Sequence, residues 1–390
     1  MRIPRLFVEN QPWELFRIDV TASAYEERCL ALAETGDIVI TTNPIDASFV
    51  SYLQSYGLAY QTELLAPKKC GRDLADAILL DESLLDYLLR RVKDSNWGIE
   101  TFLYGQSLLK LADELNIPIN GNPGLCAKYG TKSGFRRLAE RAGIPIPTGL
   151  VLEQPTERQR IWDFVRLHGS AILKEDDTLG GCGITRLTST DGVPEQLRQD
   201  CPYVVEKEID FVRQGSIQVA SSSRDLQLFV VETNAKRYEF QGFEYPPTFK
   251  TADFLEQAYR LLSILRYEGF CGYAGLDFVI DREGKVFFHD LNMRKTAVRY
   301  WLELVKRVLG LRWRSFGFAA SEITLRPQIA TFREILDKGK GFLLPSKRSP
   351  EGIILYNAGL VPFNRIGVIA ISKYGRSRQI LDEFRAIVEH

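Results

Sequence analysis

The spacing of apolar residues changes partway along this chain, and that change constrains the fold more than any other feature. Over the first 120 residues, short apolar runs alternate with helical spacing. "GDIVITTNP" (36–44) is a strand ending in a turn, and "ASFVSYLQSYG" after it has the period of a helix. "LADAILLDESLLDYLLRRV" (74–92) supplies one or two helices, and "IETFLYG" is a strand ahead of the helical "QSLLKLADELN". Such alternation predicts an open, largely parallel sheet with helices on its faces. No G-x-G-x-x-G follows a strand, so nothing marks a dinucleotide site.

From about residue 120 the pattern differs. "INGNPGLCAKYGTKSGFRRLAERAGIPIPTGLVL" (119–152) runs from a Gly/Pro/Asn-rich turn into a helix stopped by Gly143 and Pro145. Short strands follow in "SAILKEDD", "GITRLTS", "YVVEKEI" and "SIQVASS", then an amphipathic helix in "TADFLEQAYRLLSILRYEG" (251–269). The tail holds two strand-like runs, "GIILYN" and "RIGVIAIS", and a helix, "SRQILDEFRAIVE". No internal repeat or low-complexity segment interrupts the chain.

Composition removes several function classes. Fifty basic residues balance fifty acidic ones among 390, so no net field favours a polyanion, and no nucleic-acid partner is expected. The six cysteines (29, 70, 126, 182, 201, 271) are scattered without a C-x-x-C pair, which predicts reduced thiols in a cytoplasm. Three histidines far apart in sequence, His168, His289 and His390, argue against imidazole metal ligation and Ser–His catalysis. The N-terminal "MRIPRLFVENQPWE" lacks the apolar core of a signal peptide, and no apolar run approaches the roughly eighteen residues of a membrane span. A cytoplasmic protein with no membrane partner is expected.

"GLDFVIDREGKVFFHDLNMRKTA" (275–297) places Asp277, Asp290 and Asn292 inside runs with strand character, where such side chains are depleted. "YAGLDFVI" and "KVFFHDLN" around "DREG" predict an antiparallel hairpin. With a two-residue turn pairing Asp281 and Gly284, Asp277 faces Phe288 and Gly275 faces Asp290. The two carboxylates then lie diagonally on one face with Asn292, and His289 packs in the core on the other. A magnesium ion bound by oxygens at about 2.0–2.1 Å fits between them; a solvated acidic face is the plainer reading. Arg294 and Lys295 follow directly, and acids beside bases are what a metal–polyphosphate site requires.

A second signal lies in "AILKEDDTLGGCGITRL". A strand ends at Lys174, and Gly180, Gly181 and Gly183 follow in a loop able to aim N–H groups at an anion. It lacks the Gly-Lys-Ser/Thr of a Walker A loop, and a glycine-rich hairpin turn is the alternative. Cys182 there is read as a small residue tolerated in a tight turn. Glu206 in "YVVEKEI" marks a ligand anchor or the wet end of a strand. Lys132 sits near a helix start in "YGTKSGFRRLAE", where a surface lysine is common.

In order, these segments resemble the ATP-grasp ligases over roughly residues 120–300. The resemblance implies an α/β fold: an ATP-grasp domain behind an open parallel pre-grasp domain. It divides the chain into a pre-grasp domain 1–120, a grasp domain 121–325 and a small C-terminal α/β appendage 326–390. The grasp domain has a lid subdomain about 145–205 and a metal-site subdomain about 206–325. Lys132 and Lys174 match the phosphate-contacting lysines, and Gly180, Gly181 and Gly183 the lid over the triphosphate. Glu206, Lys207 and Ile209 match the adenine-binding hinge. Asp277, Asp290 and Asn292 match ligands for magnesium, two ions with manganese as a substitute, and Arg294 the arginine that steadies the reacting acyl group.

The chain also departs from the pattern. Asp290 stands where glutamate is usual, Met293 where proline is frequent, and Ser216 where an acid commonly contacts the ribose, with Glu208 or Asp210 as substitutes. Gly275 occupies a position that carries arginine in D-alanine–D-alanine-type ligases. The implied activity is ATP-dependent ligation of a carboxylate to an amine through an acyl phosphate, releasing ADP and phosphate, on amino acids or peptides. The alternatives are a carboxyphosphate-forming carboxylase and a non-catalytic nucleotide-binding regulator or scaffold. "NAKRYEFQGFEYPPTF" (234–249) is a candidate specificity loop, and the tail from about 330 a candidate for covering the site or forming a homodimer.

Overall fold

A parallel sheet opens the computed structural model, as the βα alternation predicts. The structure describes residues 2–11, 22–93, 96–154, 157–179, 181–190, 197–198, 200–236, 239–344, 351–373 and 375–389. Strands β1 (Arg5–Val8), β2 (Ile38–Ile40), β3 (Glu63–Leu65) and β4 (Gly98–Glu100) pair in parallel in the order β3-β2-β1-β4. Helix α1 (Ala47–Ser55) connects β2 to β3, helices α2 (Leu74–Leu80) and α3 (Glu82–Val92) connect β3 to β4, and α4 (Gln106–Leu115) follows β4. The 74–92 run divides at Asp81, the C-cap of α2, whose carboxylate accepts from the Leu84 N–H and so starts α3. Leu6, Val8, Ile38, Ile40 and Ile99 pack with Ile78, Leu88, Leu108 and Leu111 in the core of this sheet.

Chain contacts form two compact units: residues 1–120, 242–246 and 295–390 in the first, 121–241 and 247–294 in the second. This division differs from the three consecutive segments expected from sequence.

The second unit begins with α5 (Pro123–Tyr129) and α6 (Lys132–Ala142). Thr131 caps α6 by accepting from the Gly134 N–H, and Gly143 ends it in the left-handed conformation (φ 61°) that its missing Cβ permits. Next come β5 (Gly149–Leu152), α7 (Arg158–His168), β6 (Ser170–Glu175), β7 (Ile184–Thr188) and β8 (Tyr203–Lys207). The four strands make an antiparallel sheet ordered β5-β8-β6-β7, with α7 packed on it through Ile161, Phe164 and Val165. Strands β9 (Phe211–Ser221), β10 (Leu226–Lys236) and β11 (Glu239–Tyr245) follow, then α8 (Ala252–Tyr267), β12 (Gly272–Asp281) and β13 (Val286–Asn292). The neighbours here run β13-β12-β9-β10, all antiparallel.

One face of this second sheet is apolar. Leu276, Phe278, Ile280, Phe288 and Leu291 meet Phe135, Leu138 and Ala139 of α6 and Phe254, Leu261 and Leu265 of α8. Of the segment 234–249, residues 234–236 end β10 and 239–245 form β11, so most of its described residues are strand and 246–249 are the loop; residues 237–238 lie outside the described ones.

The remainder of the first unit holds α9 (Ala297–Leu309), β14 (Gly317–Thr324), α10 (Phe332–Gly339), β15 (Gly352–Tyr356), β16 (Arg365–Ser372) and α11 (Ser377–Val388). Gly242–Tyr245 pairs with β14, β14 with β16, and β16 with β15. The expected boundary at 325 therefore falls just past β14, while one of β14's two partners, β16, belongs to the tail. The tail shares a sheet with the strand before it instead of standing apart as an appendage. Among the described residues, no helix is long and apolar enough to cross a membrane.

Candidate active site

The polar face of the second sheet is a small grid fixed by strand register. In one row Ser216 of β9 pairs with Asp277 of β12, which pairs with Asp290 of β13. In the next row Gln218, Gly275 and Asn292 align in the same way. Residues two apart on a strand share a face, so five side chains and one glycine gap project together.

The register differs from the expected one. Gly284 takes a positive φ of 83°, and the Asp281 N–H bonds to the Lys285 carbonyl, so the hairpin loop is three residues long, not two. Phe278 accordingly pairs with Phe288. A bulge then shifts the ladder again at His289, and Asp277 stands directly opposite Asp290. Had the ladder stayed regular, His289 would oppose Asp277 and Asp290 would turn to the other face. The two carboxylates thus share a face as expected, but as direct cross-strand partners. His289 is half-buried at the bulge and not in the apolar core.

Opposed carboxylates repel. Burial, and after it the charge of Asp290, pushes the Asp277 carboxyl up to about 6. Burial acts in the same direction on Asp290, but the Lys132 ammonium outweighs it and holds that group below the usual carboxylate range. Lys132 Nζ donates to both Asp290 oxygens, at 2.9 and 3.0 Å. Asp277 accepts from Ser216 Oγ at 2.5 Å and from Asn292 Nδ2 at 3.0 Å, and Gln218 Nε2 donates to Ser216 Oγ at 2.8 Å. Arg294 closes the line, donating to Asn292 Oδ1 at 2.8 Å.

The second lysine stands on β6. Lys174 Nζ lies 2.5 Å from Glu206 and donates to the His289 carbonyl at 3.1 Å, a carbonyl that the bulge takes out of the regular ladder. Burial, then the Lys174 charge, drives the His289 imidazole down to about 3, so the ring is neutral. Glu206 is 4% exposed and also pairs with Arg136 at 3.3 Å. Arg136 in turn donates to the carbonyls of Pro147 and Gly149. Glu206 thus meets two cations at the buried end of its strand and is not a solvated terminus.

Three residues that hold this arrangement were not singled out from sequence. Asp176, just past β6, accepts from the Ser133 N–H at 2.5 Å and the Ser133 hydroxyl at 3.0 Å, while its carbonyl accepts the Lys132 N–H. It therefore ties the start of α6, and Lys132 with it, to the strand that carries Lys174. Arg136 is the second, and Gln218 the third. The available signals were the acid pair after "LKE" and the polar i, i+2 alternation in "SIQVA".

Of the glycine loop, Gly181 and Gly183 take positive φ (84° and 65°), and a Cβ on Gly183 would lie 2.8 Å from Glu175 and Thr178. Thr178 Oγ1 donates to the Cys182 carbonyl, closing the turn of a β6–β7 hairpin. Gly180 lies outside the described residues. Lys207 ends β8, its N–H bonded to the Thr148 carbonyl, and Ile209 falls in the connector to β9. Ser216, which stands where an acid commonly contacts the ribose, donates to Asp277. Glu208 and Asp210 are paired with Arg186 and Arg282.

Lys132, Lys174, Glu206, Asp277, Asp290, Asn292 and Arg294, drawn from four parts of the sequence, thus form one hydrogen-bonded neighbourhood inside the second unit. The oxygen donors of Asp277, Asp290 and Asn292 suit a hard divalent cation. Asp277 and Asp290 stand opposite each other with Lys132 bonded to Asp290 alone, an excess of negative charge that such a cation would balance. The donor set fits magnesium.

Comparison with known proteins bears on the fold around this site. Residues 26–117 match the model of the Pre ATP-grasp domain. The chain is 22% identical over 411 aligned residues to the L-propargylglycine–L-glutamate ligase of Streptantibioticus cattleyicolor, covering 89% of this chain and 83% of that one. Its fold is similar to the ADP complex of N5-carboxyaminoimidazole synthetase from Staphylococcus aureus (TM-score 0.65, 12% identity, 99% of this chain and 97% of the other). It is also similar to a biotin carboxylase from Campylobacter jejuni (TM-score 0.64, 14% identity, 99% and 92%).

Proposed function

We propose that the chain is an ATP-grasp ligase, and that it joins a carboxylate to an amine at the expense of ATP, through an acyl phosphate. The reading favours amino acid or peptide substrates, the class named for the Streptantibioticus relative. The observation that carries it is the direct opposition of Asp277 and Asp290, with Asn292 beside them and Lys132 and Lys174 converging from other segments.

In this reading Lys132 and Lys174 bind the triphosphate. Both rest on carboxylates here, so nucleotide binding exchanges Asp290 and Glu206 for phosphate oxygens as their partners. Asp277, Asp290 and Asn292 would hold magnesium, which neutralises phosphate charge and polarises the phosphoryl group when bound. The hinge from Glu206 through Ile209 faces adenine, and the turn with Gly181 and Gly183 covers the phosphates and keeps water out. The substrate carboxylate takes the terminal phosphoryl group of ATP, and ADP leaves. The amine then attacks the acyl carbon, inorganic phosphate departs, and Arg294 stabilises the oxyanion. The chain supplies position and charge, with no covalent nucleophile of its own.

The test is ADP release with ATP and magnesium over a panel of amino acids and peptides, with hydroxylamine present to trap an acyl phosphate. A hydroxamate of defined mass, absent in Lys174→Ala, is the expected result and names the carboxylate. ADP release that depends on bicarbonate and yields no hydroxamate would replace this reading with a carboxylase. Nucleotide binding without any ADP would replace it with a scaffold.

A further inference from the structure

The order β3-β2-β1-β4 means that the chain leaves β1 on one side and returns on the other. In open parallel sheets, ligands bind beyond the carboxyl ends of strands at such a reversal. Glu9 follows β1 directly at that point and is fully buried. Its Oε2 accepts from Arg28 Nε at 3.3 Å and from the Tyr300 hydroxyl at 2.5 Å. The Arg28 guanidinium is held flat between Phe102 and Tyr300, 3.9 and 4.3 Å from their ring centres.

This pairing is incomplete on both sides. Glu9 Oε1 and Arg28 Nη2 are buried without a hydrogen-bond partner, and so is the hydroxyl of Tyr356, at the end of β15. Tyr356 lies within electrostatic reach of both Arg28 and Glu9. Six of the ten such buried atoms among the described residues belong to Glu9, Gln11, Arg28, Tyr356 and Asn357. Native proteins leave few buried polar atoms unpaired, so Glu9 Oε1, Arg28 Nη2 and the Tyr356 hydroxyl call for a partner. That partner must offer a donor to a carboxylate oxygen and an acceptor to a guanidinium and a hydroxyl. Glu9 and Arg28 already cancel in charge, so a lone amine or a lone anion would bury an unbalanced charge. A zwitterion would not.

We propose that this place in the first unit binds an α-amino acid, with its ammonium on Glu9 and its carboxylate on Arg28 and Tyr356. Taking that amino acid as a substrate rests on the ligase reading above; the binding site itself does not.

Calorimetric titration of the full chain with the proteinogenic L-amino acids, one at a time and without ATP, tests it. Saturable binding by at least one is expected. Tyr356→Phe should weaken that binding roughly tenfold or more while leaving the melting temperature unchanged, because its hydroxyl has no partner in the free protein to lose. Glu9→Gln should remove binding. No binding across the set, or unchanged affinity in Tyr356→Phe, would overturn the inference and leave ordered water as the partner of these atoms. Amino-acid binding with no hydroxamate in wild type would instead count against the ligase reading alone.

Discussion

The two units each carry a group of charges, and the groups are balanced differently. In the first unit Glu100 meets Lys295, a pair 6% exposed on both sides, and the Asn120 amide. Acid and base match one to one, and water is excluded. In the second unit Asp277 and Asp290 face each other with Lys132 donating to only one of them, and the Asp290 side chain is 19% exposed. The first arrangement is complete as it stands. The second sets two acids against one lysine and is partly open to solvent. Under the proposed function, stability and activity depend on different acids, and single substitutions should separate them.

The largest effect should come from breaking the balanced pair. Glu100→Ala leaves Lys295 buried without a counter-charge, a loss of about 3–5 kcal/mol in unfolding free energy measured by denaturant titration. A small change would mean that water reaches Lys295 and that the two groups are alike after all. Asp290→Asn acts on the other side. Asp277 remains to balance Lys132, so the melting temperature should hold, while hydroxamate formation falls by at least about a hundredfold. Ser216→Ala sharpens the contrast further. It removes a hydrogen bond to Asp277 without touching charge, and should weaken manganese binding, read by paramagnetic resonance, by about tenfold.

A last contrast concerns pH. Burial raises Glu26 and Glu27 of the first unit from 4.5 to about 8. Both bind protons more tightly folded than unfolded, so their stabilising contribution is full below about 4.5 and fades as pH rises towards 8. The melting temperature should fall across that range, and Glu26→Gln should flatten the slope. An unchanged slope would place the titrating groups elsewhere.

Much of this was legible in the sequence, for reasons specific to each region. The parallel sheet showed because its helices and strands carry different apolar periods. Asp277, Asp290 and Asn292 showed because polar side chains are out of place in strands. Their register did not show. It depends on the positive φ of Gly284, which lengthens the turn, and on a bulge at His289 that no residue type announces. Two displacements of one residue in the same direction added to two, so the shared face was right although the pairing was not. The discontinuous units were also hidden, because strand runs in the tail do not say which strand they join. Asp176 and Arg136 resemble ordinary surface charges until the backbone brings Ser133 and Glu206 to them.

The bulge at His289 has a further implication. Lys174 is steadied there by a main-chain carbonyl, and the imidazole takes no part in that bond. Many side chains could stand at 289 and present the same oxygen, whereas a chain shortened by that one residue would still bring Asp290 beside Asp277 and lose the lysine's rest. What relatives should share at this point is therefore a count of residues between Phe288 and Leu291, and not a preferred letter.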